Sequence, residues 1–197
     1  KIIDNLNPSL SRVLVRDGRF VNPWPRHPIP DRELEFLKSQ TQNGLPKRQI
    51  SEEDAKSIDL TLPIEKASFA VRGEHDTVTW IGHATALIQL GGSNILIDPV
   101  FSDACGPFGK LGPRRYRAPA CAIDELPPVD AVLISHAHYD HLDTASVSRI
   151  VRAHPSVQTW AVPLRMSKWL RWHGVSASRI VELDWCAIVF ASTSQPR

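Results

Sequence analysis

The sequence predicts an α/β fold in which strands and helices pack in layers. Residues 78–81 and 85–90 are predicted to be strands, and a Gly-Gly turn leads into a returning strand over 95–97, which indicates a β-hairpin. Residues 129–135 then form an apolar run of the kind found in strands buried on both faces. Hairpins followed by alternating strands and helices are typical of a layered α/β domain.

The alternating helices and strands are predicted after residue 141. The predicted elements are a helix from Asp143 to about residue 153, a strand over 159–162, a helix from Pro163 through His173, and a strand over 179–183. Asp143 is placed to cap its helix with its side chain. Pro163 suits the first turn of a helix, and Gly174 supplies a C-terminal stop. The loop between residues 100 and 128 is long, as functional or disordered loops often are.

The N-terminal part reads differently. Residues 1–75 form a mostly irregular arm in which prolines at 23, 25, 28 and 30 prevent a helix or central strand. A short helix is predicted over 31–38, where an aspartate can cap an acidic first turn. We therefore expect two parts, with an arm over 1–75 and a partial α/β domain over 76–197.

Composition narrows the function classes. The net charge of +2 is too small to favour nucleic-acid binding, which usually concentrates Lys and Arg on one face. The three cysteines are scattered and odd in number, which fits a reducing compartment. No signal peptide or membrane-spanning run is visible. We expect an intracellular protein, either cytoplasmic or peripherally bound to a membrane.

Three histidines and an aspartate lie within six residues directly after the buried run, at His136, His138, Asp140 and His141. In an extended segment His136 and His138 point the same way and can bind one metal ion. Asp140 and His141 lie past the bend and can turn toward a second metal. Packing four such side chains together without a metal would cost desolvation and repulsion. This loop is therefore predicted to be a metal site.

Two metals about 3.5–4 Å apart can activate water for hydrolysis of an ester, phosphodiester or lactam. Asp140 is predicted to orient that water or take its proton, in addition to binding metal. Asp98 ends its own strand and is either a carboxylate that accepts a proton from a ligand histidine or a plain turn residue before Pro99. His83 is predicted to support a ligand rather than to bind metal. Tyr139 points away from the histidines, toward substrate.

Several longer motifs accompany this loop. They are Asp17-Gly18-Arg19-Phe20-Val21-Asn22-Pro23-Trp24-Pro25, Val78-Thr79-Trp80-Ile81-Gly82-His83-Ala84-Thr85, Ile97-Asp98-Pro99-Val100-Phe101-Ser102, Gly112-Pro113-Arg114-Arg115-Tyr116-Arg117, 126–136 and Glu182-Leu183-Asp184-Trp185. The histidine motif resembles the metallo-β-lactamase superfamily, which has an αββα sandwich. Together with the other motifs, over about residues 16–185, it resembles the family of phospholipases D that hydrolyse N-acyl-phosphatidylethanolamine.

The resemblance implies two Zn²⁺ ions, one bound by His136 and His138 and the other by Asp140 and His141, with Tyr139 contacting the phospholipid. It also implies a peripheral membrane enzyme that acts on an N-acylated phospholipid and releases an N-acylethanolamine and phosphatidic acid.

The chain departs from the family pattern at its end. The family places a third histidine soon after the Asp-Trp pair, in a stretch where this sequence has Pro196. We therefore expect only the N-terminal portion of the sandwich, with the C-terminal half absent. The apolar face left uncovered would favour pairing with another chain, such as a homodimer. The alternatives to the phospholipase D are a non-catalytic remnant with an incomplete metal site and a superfamily hydrolase that acts on another ester or lactone.

Overall fold

The computed structural model describes residues 14–21, 51–106 and 113–184, and these residues fall into two compact units. One unit contains a hairpin of strands β1 (Leu14–Arg16) and β2 (Arg19–Val21) and a helix, α1 (Glu52–Thr61). The other unit, over residues 64–183, contains a six-stranded sheet. The helix predicted over 31–38 lies outside the described residues, and the division at residue 75 stays a prediction.

Neither element of the first unit was predicted, although each carries a local signal. Asp17 and Gly18 both have positive φ, as the tight hairpin turn formed by Asp-Gly pairs requires. Helix α1 begins after Ser51, whose hydroxyl oxygen accepts a hydrogen bond from the Asp54 amide at 3.0 Å. None of the residues of α1 is buried, so the apolar periodicity that reveals most helices is missing.

The large sheet has the strand order β3-β4-β5-β6-β7-β8. Its strands are β3 (Thr77–Gly82), β4 (Thr85–Leu90), β5 (Ser93–Ile97), β6 (Ala131–Leu133), β7 (Thr159–Pro163) and β8 (Ile180–Leu183). The first three strands pair antiparallel, and each later strand pairs parallel with the one before it. The predicted α/β class is confirmed, because the domain is built on a mixed six-stranded sheet with helices between its parallel strands.

Helices α2 (Thr144–Ala153) and α3 (Ser167–Trp172) connect the parallel strands. The core contains Leu87, Leu96 and Val132 from the sheet, packed with Val147 and Ile150 of α2. The opposite face of β6 is only partly buried within the described residues, so the prediction that this strand is buried on both faces is wrong for the described part of the chain.

Helix α2 begins where the sequence predicts, and helix α3 begins later than predicted. Asp143 caps α2 as predicted, because its carboxylate accepts a hydrogen bond from the Ala145 amide at 3.2 Å. The helix predicted from Pro163 is wrong at its start, since Pro163 is the last residue of β7 and α3 begins at Ser167. The fixed φ of proline suits an extended strand end as well as a first helical turn, so the residue alone does not distinguish them. Gly174 follows α3 with a φ of +94°.

Among the described residues, none of the helices has both the length and the apolar character needed to cross a membrane.

Candidate metal centre

The predicted metal-binding loop lies where two parallel strands end side by side. Strand β5 ends at Ile97 and β6 ends at Leu133, and the Asp98 amide donates a hydrogen bond to the Leu133 carbonyl at 2.9 Å. Parallel strands present their carboxyl ends at the same edge of a sheet, where ligands commonly bind. This edge therefore brings Asp98 next to the loop over 134–141.

His136 and His138 converge, as alternate residues of an extended segment should. Nε2 of His136 lies 3.1 Å from Nδ1 of His138, and the ring centroids are 4.7 Å apart. A carboxylate oxygen of Asp140 completes a group in which one donor atom of each residue lies within 4.8 Å of the others. Three side chains thus face one point in space.

A second group forms around the same aspartate. Oδ2 of Asp140 lies 3.3 Å from Nε2 of His83 and 3.6 Å from Nε2 of His141. The turn that brings His141 around is closed by hydrogen bonds from the His141 and Leu142 amides to the His138 carbonyl. Asp140 therefore belongs to both groups, while each histidine belongs to one.

Asp98 is a buried carboxylate that contacts Ser135 and His141. Its carboxylate is only 4% exposed at the residue level and accepts hydrogen bonds from the Ser135 amide at 2.7 Å and the Ser135 hydroxyl at 2.6 Å. Its Oδ2 also lies 2.8 Å from Nδ1 of His141. This is the contact predicted for a carboxylate that accepts a proton from a ligand histidine, and the role stays a prediction.

His83 reaches the site from 57 positions away in the sequence. It sits in the β3–β4 turn with a φ of +51°, and its carbonyl accepts a hydrogen bond from the Trp80 indole at 2.8 Å. Asp98 also has a positive φ, of +40°, although it precedes a proline that favours extended backbone. Backbone strain of this kind costs on the order of 1–3 kcal/mol per residue and clusters at functional sites.

The protonation states favour metal binding. Burial lowers the pKa of His136, and the neighbouring His141 and His138 lower it further, which favours the neutral ring. Burial opposes ionisation of Asp140, but hydrogen bonds from its own backbone amide and from His83, together with the charge of His141, hold its pKa below the ordinary value. Neutral imidazole and ionised carboxylate are the forms that bind a transition metal. The donor set therefore fits Zn²⁺ or a similar ion.

Two further residues complete the description of the site. The Tyr139 side chain is exposed, with 52% of the residue accessible, and its contact with substrate stays a prediction. Ser135 was not singled out from the sequence, although its hydroxyl lies 2.9 Å from Nδ1 of His136. A hydroxyl residue directly before the first histidine of the motif is the signal that was available.

Arg115 belongs to the loop beside the site. Its Nε donates to the Ser102 carbonyl at 2.9 Å and its Nη2 to the Val100 carbonyl at 2.7 Å. These bonds hold the segment that follows Asp98.

Fold and site together define a metal-binding α/β domain, and comparison with known proteins agrees. The family described as "Beta-lactamase superfamily domain" matches residues 93–193, and the chain belongs to this superfamily.

Three similar proteins illustrate the range of relatives, since two have functional names and one is uncharacterized. N-acyl-phosphatidylethanolamine-hydrolyzing phospholipase D 1 of Caenorhabditis elegans is 33% identical over 193 residues, which cover 90% of this chain and 54% of that protein. An uncharacterized protein of Mycobacterium bovis is 40% identical over 172 residues, or 86% of this chain and 44% of that protein. A metal-dependent hydrolase of Methanopyrus kandleri is 38% identical over 68 residues, or 34% of this chain and 24% of that protein. The chain spans about half the length of the first two of these relatives.

Proposed function

We propose that this chain belongs to a zinc-dependent phosphodiesterase of the phospholipase D type. Its substrate is N-acyl-phosphatidylethanolamine, and its products are an N-acylethanolamine and phosphatidic acid. The observation that carries the proposal is the pair of donor groups that share Asp140 at the carboxyl ends of β5 and β6. Two adjacent metal sites are typical of enzymes that hydrolyse phosphoesters.

The residues divide into ligands and supporting groups. His136 and His138 would hold one zinc ion, and His141 the other, with Asp140 within reach of both. When bound, the two ions act as Lewis acids on the phosphoryl oxygens and activate water. Asp140 would orient that water or accept its proton, because its lowered pKa favours the carboxylate form and its side chain is partly exposed. His83 fixes the Asp140 carboxylate through the 3.3 Å contact with Oδ2.

The substrate class rests on the Caenorhabditis elegans relative, whose match covers 90% of this chain. Tyr139 is proposed to contact the phospholipid, because it is exposed between the two ligands His138 and Asp140. An enzyme that takes its substrate from a bilayer must touch the membrane surface, so peripheral membrane contact belongs to the proposal. The homodimer stays a prediction that sedimentation of the purified protein would test.

The test is an assay of purified full-length protein with N-acyl-phosphatidylethanolamine in mixed micelles. We expect N-acylethanolamine release that a chelator abolishes and Zn²⁺ restores. His138→Ala should lower the activity and remove the metal ion that His136 and His138 hold, whereas His75→Ala, which changes an exposed histidine outside both metal groups, should change neither. Absence of release by zinc-loaded wild-type protein would refute the substrate assignment.

A second candidate is a metal-dependent hydrolase acting on a different ester or lactone. The match to the Methanopyrus kandleri hydrolase favours it, because that protein is named by its metal dependence and not by a lipid substrate. Both candidates use the same metal centre, so only substrates separate them. A panel of lactones and simple phosphodiesters, assayed beside the phospholipid, would show which is cleaved with the highest kcat/KM.

A further inference from the structure

One buried carboxylate contacts both halves of the candidate metal centre. Asp98 receives three donors within 2.8 Å, which are the amide and hydroxyl of Ser135 and Nδ1 of His141. The Ser135 hydroxyl in turn lies 2.9 Å from Nδ1 of His136. His136 belongs to one donor group and His141 to the other, so the contacts of Asp98 branch toward both.

The number of protons fixes the direction of each bond. The Ser135 hydroxyl has one proton and donates it in a hydrogen bond to Oδ2 of Asp98, since a carboxylate oxygen is an acceptor. The Ser135 oxygen is then left with lone pairs, and it accepts a hydrogen bond from the Nδ1–H group of His136. His141 donates its Nδ1 proton to Asp98 directly.

We propose that Asp98 fixes the tautomers of both His136 and His141, reaching His141 directly and His136 through the Ser135 hydroxyl. In each ring Nδ1 then carries the proton, and Nε2 keeps a lone pair. Nε2 of His136 lies 3.1 Å from His138, and Nε2 of His141 lies 3.6 Å from Asp140, so both lone pairs face their own donor group. Ser135 is thus a positioning residue.

This proposal rests on the metal-binding part of the proposed function. It concerns the metal-free protein, however, so its outcome does not depend on which substrate is cleaved or on whether hydrolysis is observed at all. The proposal also makes a specific prediction about the Ser135 hydroxyl. Removing it should let His136 adopt either tautomer, whereas His141 should keep its Nδ1 proton because it contacts Asp98 directly.

The experiment is ¹⁵N NMR of the histidine side chains in metal-free protein at mildly alkaline pH, where imidazoles are neutral. In the wild type, Nδ1 of both His136 and His141 should show the shift of a protonated nitrogen. Ser135→Ala should move His136 to a mixture of tautomers and leave His141 unchanged. Asp98→Asn should release both rings. Ser135→Thr, which restores a hydroxyl, should return His136 to the wild-type tautomer.

Ser156→Ala is the matched control, because it removes a hydroxyl that donates a 2.8 Å bond to the Val129 carbonyl, away from the site. It should leave both histidines as in the wild type. The Ser135 variants test the relay even if Asp98→Asn does not fold. An Nε2 proton on His136 in the wild type would overturn the proposal. So would a Ser135→Ala variant in which His136 is unchanged or both rings are released equally.

Discussion

Two polar clusters link β5 to β6, one at each end of these parallel strands, and they use their hydrogen bonds differently. At the amino-terminal end, Asn94 is 1% exposed, and its side chain joins Gln89 to the Pro128 carbonyl. Arg72 adds bonds to the carbonyls of Gly92 and Pro128. This cluster uses its donors and acceptors largely on backbone groups, as structural networks do.

The cluster at the carboxyl-terminal end directs its nitrogen and carboxylate atoms mainly toward one another. Asp98 and Ser135 satisfy one nitrogen of His136 and one of His141, and the second nitrogen of each ring faces other donors of its metal group. The comparison shows how to separate structure from function in one sheet. A buried network with bonds mainly to backbone stabilises the fold, whereas nitrogen and carboxylate atoms that face one another mark a binding site.

The largest expected effect comes from the residue shared by both metal groups. Asp140→Ala should lower kcat/KM by about 10²–10⁴-fold, the range for loss of a positioned acid–base group. Its side chain is partly exposed, so the free energy of unfolding of metal-free protein should change by less than about 0.5 kcal/mol. Kinetics and urea unfolding of the same preparation measure both. A large loss of stability with unchanged kcat/KM would mean that the carboxyl-terminal cluster stabilises the fold and does not serve catalysis.

Metal addition should stabilise the protein through the carboxyl-terminal cluster alone. Zn²⁺ at about 100 times its Kd should raise the free energy of unfolding by about 2.7 kcal/mol. The gain should be smaller in His138→Ala, which loses a donor of one of the two metal groups, and should persist in Asn94→Ala, since Asn94 lies at the other end of β5. Thermal unfolding with and without Zn²⁺ is the measurement. Equal stabilisation of the wild type and His138→Ala would mean that the metal binds elsewhere.

Truncating a side chain of the amino-terminal cluster should lower the stability of the protein and leave its Zn²⁺ affinity unchanged. Asn94→Ala removes the amide that bonds to Gln89 and to the Pro128 carbonyl, and leaving such buried groups unpaired costs about 1–3 kcal/mol. Zn²⁺ affinity should stay within twofold of the wild type. Gln158→Ala, which removes an exposed amide, is the control for stability. A drop in Zn²⁺ affinity with unchanged stability would show that the two clusters are not independent.

The sequence predicted the strands of the sheet better than the contacts between them. Strand-like segments on both sides of a Gly-Gly turn located the hairpin, and the run over 129–135 located β6, but only Ala131–Leu133 pair in the ladder. Beyond Leu133, the Ile134 amide still bonds to the Ala161 carbonyl of β7, and the Ser135 amide bonds to the Asp98 side chain. The local spacing also predicted that His136 and His138 converge. These features depend on residues close in the sequence.

Two kinds of feature could not be predicted from the sequence. These are contacts between residues far apart in the chain and a helix without an apolar face. The contact between His83 and Asp140 joins positions 57 apart, and the Ser135–Asp98 bond joins positions 37 apart. Both depend on the β-strand register, which no local motif encodes. Helix α1 was missed because none of its residues is buried, so only its Ser51 cap marked it.

The smallest expected effect belongs to an exposed ion pair outside both clusters, between Lys66 and Glu125 at 2.8 Å. The hydrogen bond from the Ala122 amide, followed by the bond and charge of Lys66, lowers the pKa of Glu125. A lowered carboxyl pKa contributes stability above the unfolded-state pKa, and that contribution is lost as pH falls through the folded-state value. Lys66→Met should therefore raise the Glu125 pKa only part of the way to its ordinary value, because the Ala122 bond remains. Carboxyl ¹³C NMR titration measures this shift. A Glu125 pKa at its ordinary value in the variant would mean that Lys66, and not the backbone amide, is the main cause.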